Sequence, residues 1–399
     1  MRLSPSKIKA MEQIYFDNSA TTPLCNAAKA RMCEVMEHYG NPSSLHAMGE
    51  TAHTILERAR REVAASLGLR GRLEAGQLIF TSCGTEADNL AIFGTAYAKP
   101  RRRGGRIITT DSEHAGVENA MRALEADGFE VVRISTRGGV LDMKQLEEAL
   151  TGRVFLVSIM AVNNETGAAY DVARAFAMAK AKDANIVTHT DAVQAYLKGR
   201  LLPQTLRADL VTVSAHKIHG PKGVGALYAS TDALKRRDFV PCLRGGGQEQ
   251  GFRSGTENII GIAGFGAAAA EGQATLASDV AHLADLRAYA IERLSTLSVR
   301  LNLPASGVAP HVVNLTLPDI KSETMLHALS ARGIYISNGS ACSSHSKAHS
   351  SSLLSFGLTP EEADCSIRVS FGKQNTKEQI DVLVNALSEE IARLVRIHR

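Results

Sequence analysis

The chain has 399 residues, of which 44% are hydrophobic and 22% charged, and its net charge is +4 at pH 7. This length is too great for one small core and indicates two or three domains or one large α/β unit, and the composition is ordinary for a soluble globular protein. The basic residues are scattered apart from Arg101, Arg102 and Arg103, so no nucleic-acid-binding surface is indicated. Six cysteines without a CxxC pair indicate neither a disulfide framework nor a zinc site, which fits a reducing cytoplasm.

The N-terminal residues are basic but lack the apolar segment of a signal peptide. No apolar run in the sequence is long enough to span a bilayer. A more compact pattern begins at Met11, so residues 1–10 are expected to form an extension that does not pack on the fold.

Short apolar strands alternate with helical patterns through the middle of the chain. The strands are predicted at 78–80, 106–109, 131–134, 154–160, 186–188 and 210–213. Helices are predicted between them, among others at 86–98 and 117–126. This alternation predicts a mainly parallel sheet covered by helices on both faces. Ligands of such sheets bind beyond the carboxyl ends of the strands.

From about Gly264 the pattern changes. An alanine-rich helix is followed by short strands at 312–317, 334–337 and 366–371 and by a closing helix at 377–396. We therefore expect a large domain formed by residues 26–263 and a smaller α+β domain formed by residues 11–25 and 264–399.

A lysine follows the strand at 210–213, in the sequence Ser214-Ala215-His216-Lys217. Desolvation at the end of a buried strand lowers the pKa of a lysine, and a neutral amine can form a Schiff base. A surface lysine in a hairpin explains this motif alone equally well. The residues upstream favour the first interpretation.

A stretch of small residues, from Thr81 to Thr85, follows the strand at 78–80 and opens a helix. Free N–H groups at a helix N-terminus, with the Thr85 hydroxyl, predict an anion-binding site around Gly84 and Thr85. An ordinary N-cap formed by Ser82 or Thr85 is an equal alternative for this segment alone.

Asp191 ends another buried run. An unpaired buried carboxylate is very costly, so Asp191 requires a cationic partner. The protonated ring nitrogen of pyridoxal phosphate is such a partner, and a carboxylate that keeps it protonated makes the ring an electron sink. Asp191 and Lys217, each at a strand end, form the arrangement that this cofactor needs.

Further polar side chains follow the other strands. His114 is predicted to lie flat on the cofactor ring, and Asn163 and Gln194 are predicted to bind its 3′-oxygen. The residues predicted to surround its phosphate are Gly84, Thr85, Ser214 and His216.

A series of motifs runs from Tyr15 to about Arg396. They are YFDNSATTP (15–23), GNPSSLH (40–46), FTSCGTEADN (80–89), EH (113–114), VNNETG (162–167), DAVQ (191–194), SAHKIHGPKGVG (214–225), GGGQEQGFRSGTEN (245–258), GSACSSH (339–345) and IRVSFG (367–372). With these motifs in this order, the chain resembles the cysteine desulfurases of the NifS/IscS kind, within the fold-type I, class V aminotransferase group. The full set is specific, although each motif alone is weak.

The resemblance implies a mainly parallel seven-stranded sheet and conversion of L-cysteine into L-alanine. Lys217 would bind the cofactor covalently and move protons at the substrate α-carbon. Asn41 and Arg368 would hold the substrate carboxylate, to which a guanidinium fork is suited. Thr256 would reach the cofactor phosphate of the partner subunit, which implies a homodimer.

Cys342 would be the nucleophile that the resemblance requires. Its neighbours in the sequence are small and polar, which predicts a loop in which the thiol is accessible, whereas buried unreactive cysteines have apolar neighbours. This thiol would carry the persulfide. The persulfide would pass to an acceptor protein for iron–sulfur cluster, thio-cofactor or tRNA biosynthesis, and the sequence leaves the identity of that acceptor open.

Three alternatives remain at this point. Cys342, His345 and His349 have a spacing that can bind a metal, but no fourth ligand is evident and a solvated serine-rich loop fits better. A selenocysteine lyase, a cysteine-sulfoxide lyase or an aminotransferase of the same group is disfavoured because these reactions do not need a loop thiol. A non-enzymatic homologue is disfavoured by the joint presence of Lys217 and Asp191 with Cys342.

Overall fold

The computed structural model describes residues 13–338 and 349–394. Its strands are β1 (Ile14–Tyr15), β2 (Leu78–Thr81), β3 (Arg106–Thr110), β4 (Glu130–Ile134), β5 (Val154–Ser158), β6 (Val187–Asp191), β7 (Leu210–Ser214), β8 (Gly225–Ala229), β9 (Arg300–Leu301), β10 (Val312–Thr316), β11 (Ile334–Tyr335) and β12 (Ser366–Ser370).

The α-helices vary in length from single turns to one very long element. They are α1 (Asn26–Met36), α2 (Ala47–Ser66), α3 (Gly84–Tyr97), α4 (Ala115–Ala126), α5 (Met143–Ala149), α6 (Val172–Lys182), α7 (Pro203–Leu206), α8 (Thr231–Arg236), α9 (Ile259–Leu294), α10 (Ser322–Ser330), α11 (Ser351–Phe356), α12 (Pro360–Asp364) and α13 (Lys377–Arg393).

Seven strands form the main sheet, in the order β2-β8-β7-β6-β5-β3-β4. Strand β8 is antiparallel to both of its neighbours, and the other neighbouring pairs are parallel. The predicted fold class is therefore confirmed. The reversal at β8 arises because β7 and β8 form a hairpin, and the segment that joins them carries Lys217.

Alternate residues of the main strands enter two different hydrophobic clusters. Ile108 and Val157 belong to one cluster, whereas their neighbours Ile107 and Leu156 belong to the other. Because successive side chains of a strand point to opposite faces, the two clusters cover the two faces of the sheet. The sheet is thus buried on both sides, as the near-continuous apolar strands predicted.

A third hydrophobic cluster forms away from the main sheet. It includes Phe16 from the N-terminal segment, Leu286 from α9, Ile367 from β12 and Leu387 from α13. The antiparallel sheet β12-β10-β9 and the parallel pair β1-β11 contribute strands to this region. We propose that the third cluster is the core of the predicted small domain.

Helix α9 differs from the sequence interpretation in two ways. It begins at Ile259, so it passes without a break through the boundary expected near residue 264. It is also long and apolar enough to cross a membrane, with a mean hydropathy of 1.2 over 18 residues, so the expectation that no such segment exists is wrong. Half of that window is buried inside the protein, because the first part of α9 packs against α1 and α2.

Candidate active site

A cavity of about 480 Å³ lies beside the carboxyl ends of β6 and β7. Its position is the one expected for ligands of a mainly parallel sheet. The predicted residues that line it are Gly84, Thr85, His114, Asp191, Gln194, Ser214, His216, Lys217 and Arg368. The structure therefore brings together side chains that are far apart in the sequence.

Lys217 lies in the turn that directly follows β7. Its Nζ donates hydrogen bonds to the carbonyl oxygen of Ser19 and, at 2.9 Å, to that of Ala20. The Thr22 backbone N–H donates to the His216 carbonyl at 2.9 Å. The N-terminal motif therefore packs on the lysine turn, which explains why two segments so distant in the chain share one site.

Asp191 is the last residue of β6, and only 6% of it is exposed. Its Oδ1 accepts a hydrogen bond from the Val193 backbone N–H at 2.9 Å. Burial raises the pKa of Asp191, whereas His114, the Val193 N–H and Lys217 act to lower it. A cation placed beside this carboxylate would lower the pKa further, so the site fits a protonated ring nitrogen.

Asp88 stands next to Asp191 and was not foreseen as a site residue. The ligand atoms of Asp88, His114 and Asp191 all lie within 4.8 Å of one another. This spacing also suits a metal ion, but a pyridinium nitrogen meets the same demand for positive charge. Asp88 lies four residues after Gly84 on α3, so helical spacing was the signal that could have identified it.

His114 is the N-cap of α4, and its Nδ1 accepts a hydrogen bond from the Gly116 N–H at 3.1 Å. When the imidazole is neutral, this bond places its proton on Nε2. A Cβ on Gly116 would lie 3.1 Å from Thr85 Oγ1 and 3.2 Å from His114 Nδ1. Glycine therefore allows His114 and the start of α3 to approach each other.

The end of the cavity near α3 has the character of an anion site. The buried Oγ of Ser214 has no hydrogen-bond partner in the described part of the chain, so its hydroxyl is available to a ligand. A Cβ on Gly225 would lie 2.5 Å from the Cys83 carbonyl carbon, so glycine is needed where β8 passes the Cys83-Gly84 backbone. Burial, with the nearby Lys217, lowers the pKa of His216 to about 4, so its imidazole is neutral at pH 7.

Of two neighbouring asparagines, Asn163 was predicted to contact the cofactor, but Asn164 is the one that lines the cavity. Asn163 does not line the cavity: its Oδ1 accepts hydrogen bonds from the backbone N–H groups of Glu165 and Thr166, and its Nδ2 donates to the Ser112 carbonyl. Asn164 lines the cavity, and its buried Oδ1 has no partner among the described residues. The predicted cofactor contact of Asn163 therefore fits Asn164 instead, because the turn consumes the Asn163 amide.

Arg368 lies in the middle of β12 and is 2% exposed. Its guanidinium donates from Nη1 to the Asn164 carbonyl at 2.8 Å and from Nη2 to Asp17 Oδ1 at 2.7 Å. Its buried Nε has no hydrogen-bond partner within residues 13–338 and 349–394. A buried guanidinium with a vacant donor beside the cavity fits the predicted binding of a carboxylate.

Two further predicted residues, Asn41 and Thr256, do not line the cavity of this single chain. Asn41 is exposed, and its Oδ1 accepts a hydrogen bond from the Ser43 N–H at 2.9 Å. Thr256 is also exposed, and Cys342 lies outside the described residues. The described chain resumes at His349, and residues 349–352 line the cavity. The roles of Asn41, Thr256 and Cys342 stay predictions.

Two buried glutamates also line the cavity, and neither was assigned a role from the sequence. Burial raises the pKa of Glu113 to about 8, and burial also raises the pKa of Glu165. Glu165 Oε2 accepts a hydrogen bond from Ser350 Oγ at 2.6 Å, which attaches the segment after the predicted nucleophile loop to the cavity wall. Both glutamates belong to quoted motifs, EH (113–114) and VNNETG (162–167), but the sequence does not show which side chains of a motif face inward.

The sequence model of the class V aminotransferase family matches residues 14–383 of the chain. The chain belongs to the class V aminotransferase family. This family implies pyridoxal phosphate as the cofactor, in agreement with the lysine, carboxylate and anion site of the cavity.

Curated relatives extend over nearly the whole chain. A NifS/IcsS protein homolog from Lactobacillus delbrueckii subsp. bulgaricus is 40% identical, covering 94% of this chain and 96% of the relative. A cysteine desulfurase from Trichormus azollae is 38% identical, covering 96% of this chain and 94% of the relative. A solved structure described as a NifS-like protein is 34% identical with a TM-score of 0.88, covering 96% of this chain and all of that one. The resemblance stated from the sequence motifs is confirmed.

Proposed function

We propose that this class V aminotransferase family member is a pyridoxal-phosphate-dependent cysteine desulfurase. The observation that carries the proposal is the convergence of Lys217, Asp191 and His114 on one cavity, in a chain similar over its length to proteins named cysteine desulfurase. Its products are L-alanine and a persulfide on Cys342.

The residues around the cavity fit the cofactor in four places. Asp191 would hold the ring nitrogen, and the ring would lie against His114. The side-chain amides of Gln194 and Asn164, which line the cavity, would donate to the 3′-oxygen. The phosphate would be held by Gly84, Thr85, Ser214 and His216. When bound, pyridoxal phosphate supplies an electron sink for removal of the substrate α-proton.

The remaining chemistry belongs to side chains of the chain itself. Arg368 binds the α-carboxylate of L-cysteine and so fixes the substrate in the cavity. The Lys217 amine accepts and returns the proton at the α-carbon. The Cys342 thiolate forms a bond to the substrate sulfur while the C–S bond of the substrate breaks. The β-carbon keeps the bonding electron pair and takes up a proton, which gives L-alanine, and the sulfur stays on Cys342 as the persulfide.

The test is anaerobic incubation of the full chain and pyridoxal phosphate with L-cysteine. Alanine and sulfide are measured together, and the persulfide is mapped by mass spectrometry. We expect alanine formation and a persulfide on Cys342, and Cys342→Ser should stop sulfur transfer. The matched controls are Cys33→Ser and Cys242→Ser, since both thiols are exposed and neither lines the cavity. Wild-type alanine formation by Cys342→Ser would indicate one of the lyases instead.

The assembly is proposed to be a cytoplasmic homodimer in which Thr256 completes the phosphate site of the partner subunit. Its support is a pair of exposed hydrophobic side chains on either side of Asn41 in the sequence: Tyr39 is 85% exposed and Leu45 97% exposed in a single chain. A sulfur-acceptor protein is the second proposed partner. Sedimentation of the full chain should show a dimer, and Leu45→Glu should weaken that dimer. Thr256→Ala should lower the affinity for pyridoxal phosphate and leave the dimer intact.

A further inference from the structure

A buried histidine lies behind Gln194, one of the residues that line the substrate cavity. His311 immediately precedes β10, is 0% exposed, and does not itself line the cavity. Its Nε2 lies 3.2 Å from Gln194 Oε1, and the Phe371 backbone N–H donates to its carbonyl oxygen at 2.8 Å. His311 therefore connects the antiparallel sheet to the segment that follows β6.

The orientation of the Gln194 amide follows from its other contact. Gln194 Nε2 donates a hydrogen bond to the Ser19 carbonyl oxygen at 2.9 Å. That oxygen can only accept, and it also accepts from Lys217 Nζ. A flipped amide would turn Oε1 against it and bring two acceptors into contact. The nitrogen of the Gln194 amide therefore lies towards Ser19, and its oxygen lies towards His311.

This orientation decides which nitrogen of His311 carries the proton. Gln194 Oε1 needs a donor, so the proton must be on Nε2. Burial lowers the pKa of His311 well below its usual value. The charges of Lys198, Arg368 and Lys217 act in the same direction, so the imidazole is neutral at pH 7. The buried Nδ1 has no hydrogen-bond partner in the described part of the chain, so a proton placed there would have no acceptor.

We propose that His311 is a positioning residue for the cofactor: its Nε2–H holds the Gln194 side-chain oxygen, so that the amide presents an N–H group to the 3′-oxygen. The inference rests on the proposed function, in which Gln194 binds that oxygen of pyridoxal phosphate. Gln194 Nε2 carries a second N–H, which has no acceptor among the described residues and is available to a ligand of the cavity.

Loss of the His311 N–H would leave Gln194 Oε1 as a buried acceptor without a donor. Rotation of the amide towards the cavity would relieve this cost and bring Oε1 towards the cofactor. An ionised 3′-oxygen is itself an acceptor, so it would be repelled instead of bound. The affinity for pyridoxal phosphate should therefore fall. The bound cofactor should also lose its proton at a higher pH, because a hydrogen bond to the ionised 3′-oxygen favours the deprotonated form.

The first test is equilibrium dialysis of the full chain, freed of cofactor, against pyridoxal phosphate and against an analogue that lacks the 3′-oxygen. The amide of His311→Asn is too short to reach Gln194, so this variant should bind pyridoxal phosphate about 5-fold or more weakly. For the analogue the same substitution should change affinity by less than about 2-fold. The amide nitrogen of His311→Gln takes the place of Nε2, so this variant should stay within about 2-fold of the wild type.

Two spectroscopic measurements report on the hydrogen bond itself. With pyridoxal phosphate bound, His311→Asn should raise the pH midpoint of the visible absorption by about half a unit, whereas His311→Gln should leave it near the wild type. In the cofactor-free chain with isotope-labelled histidine, nuclear magnetic resonance should show the His311 proton on Nε2. The His311→Gln spectrum identifies the His311 signals by their loss.

His282→Asn is the matched control. His282 lies on α9, and its Nε2 likewise donates to an oxygen, the Asn375 carbonyl at 3.1 Å, but it does not line the substrate cavity. This variant should lower thermal stability and leave both the cofactor affinity and the pH midpoint unchanged. If His311→Asn does not fold, His311→Leu takes its place, because leucine also lacks a donor.

A folded His311→Asn with wild-type affinity and midpoint overturns the proposal. So does an equal loss of affinity for the analogue, which would show a general structural effect, or a His311 proton on Nδ1. Failure of the proposed function is distinct, because it would show as absent alanine formation by the wild type, whereas these measurements use no substrate.

Discussion

Asp88 and Asp191 bury two carboxyl groups side by side, with ligand atoms no more than 4.8 Å apart. Asp88 is 1% exposed and Asp191 is 6% exposed. Burial and the neighbouring Asp191 raise the pKa of Asp88 well above its usual value, whereas His114, the Val193 N–H and Lys217 act to lower the pKa of Asp191. Asp88 therefore keeps its proton, and Asp191 is the member of the pair that ionises opposite a cation.

Amide substitution should separate the two carboxyl groups. Asp191→Asn removes the charge that stabilises the ring nitrogen, so kcat should fall by about 100-fold or more. Asp88→Asn resembles a protonated Asp88, so kcat should change by less than about 3-fold. Steady-state alanine formation and pyridoxal phosphate affinity measure both effects. Equal losses in the two variants would contradict this assignment.

The neighbouring asparagines provide a second matched pair. Asn163→Ala should lower the free energy of unfolding by about 2 kcal/mol or more, because buried backbone N–H groups of the turn lose their acceptor. Asn164→Ala should leave stability nearly unchanged, because its Oδ1 has no described partner, and should weaken pyridoxal phosphate binding. Urea denaturation and cofactor titration distinguish the two. The reverse pattern would restore the prediction made from the sequence for Asn163.

The two asparagines illustrate which features of the site the sequence could predict and which it could not. The alternating strands predicted the main sheet, and a carboxylate at the end of β6 predicted the role of Asp191, because both follow from burial alone. Choosing between Asn163 and Asn164 depends on which amide the turn consumes, and the motif does not contain that information. Asn41 and Thr256 lie outside the cavity of the single chain, and the role predicted for Thr256 requires a partner subunit, which a single-chain pattern does not describe.

Arg368 is expected to act through the planar fork of its guanidinium. Arg368→Lys keeps a positive charge but cannot donate in parallel from two nitrogens, so KM for L-cysteine should rise by about 30-fold with a smaller change in kcat. Arg300→Lys is the control, because Arg300 is half exposed and paired with Glu362. A large fall in kcat at unchanged KM would indicate that Arg368 does not bind the substrate carboxylate.

Lys217 and Lys222 test the choice of the catalytic lysine. Lys217→Ala should lose more than about 1,000-fold of alanine formation, since no other amine lines the cavity among the described residues. Lys222 is exposed in the following turn, and Lys222→Ala should remain active. Borohydride reduction and peptide mapping should place the cofactor on Lys217. A cofactor adduct on Lys222 would refute the assignment.

Glu113 should make stability depend on pH in an unusual direction. Its Oε1 accepts hydrogen bonds from Thr110 Oγ1 at 2.7 Å and from the Met160 N–H at 2.9 Å, and burial raises its pKa from 4.5 to about 8. Between these two values the folded state holds a proton that the unfolded state has released. Stability therefore falls as the pH rises through this window and levels off above about pH 8.

Glu113→Gln has no such proton to lose but keeps an oxygen for both hydrogen bonds. Relative to the wild type, its free energy of unfolding should therefore increase from pH 5 to pH 8, by roughly 4 kcal/mol. Urea denaturation of the full chain without cofactor at several pH values gives this difference. Glu125→Gln is the control, because Arg133 lowers the pKa of Glu125 and its difference from wild type should stay flat above pH 5. A flat profile for Glu113→Gln would show that Glu113 is already ionised in the folded protein at pH 5.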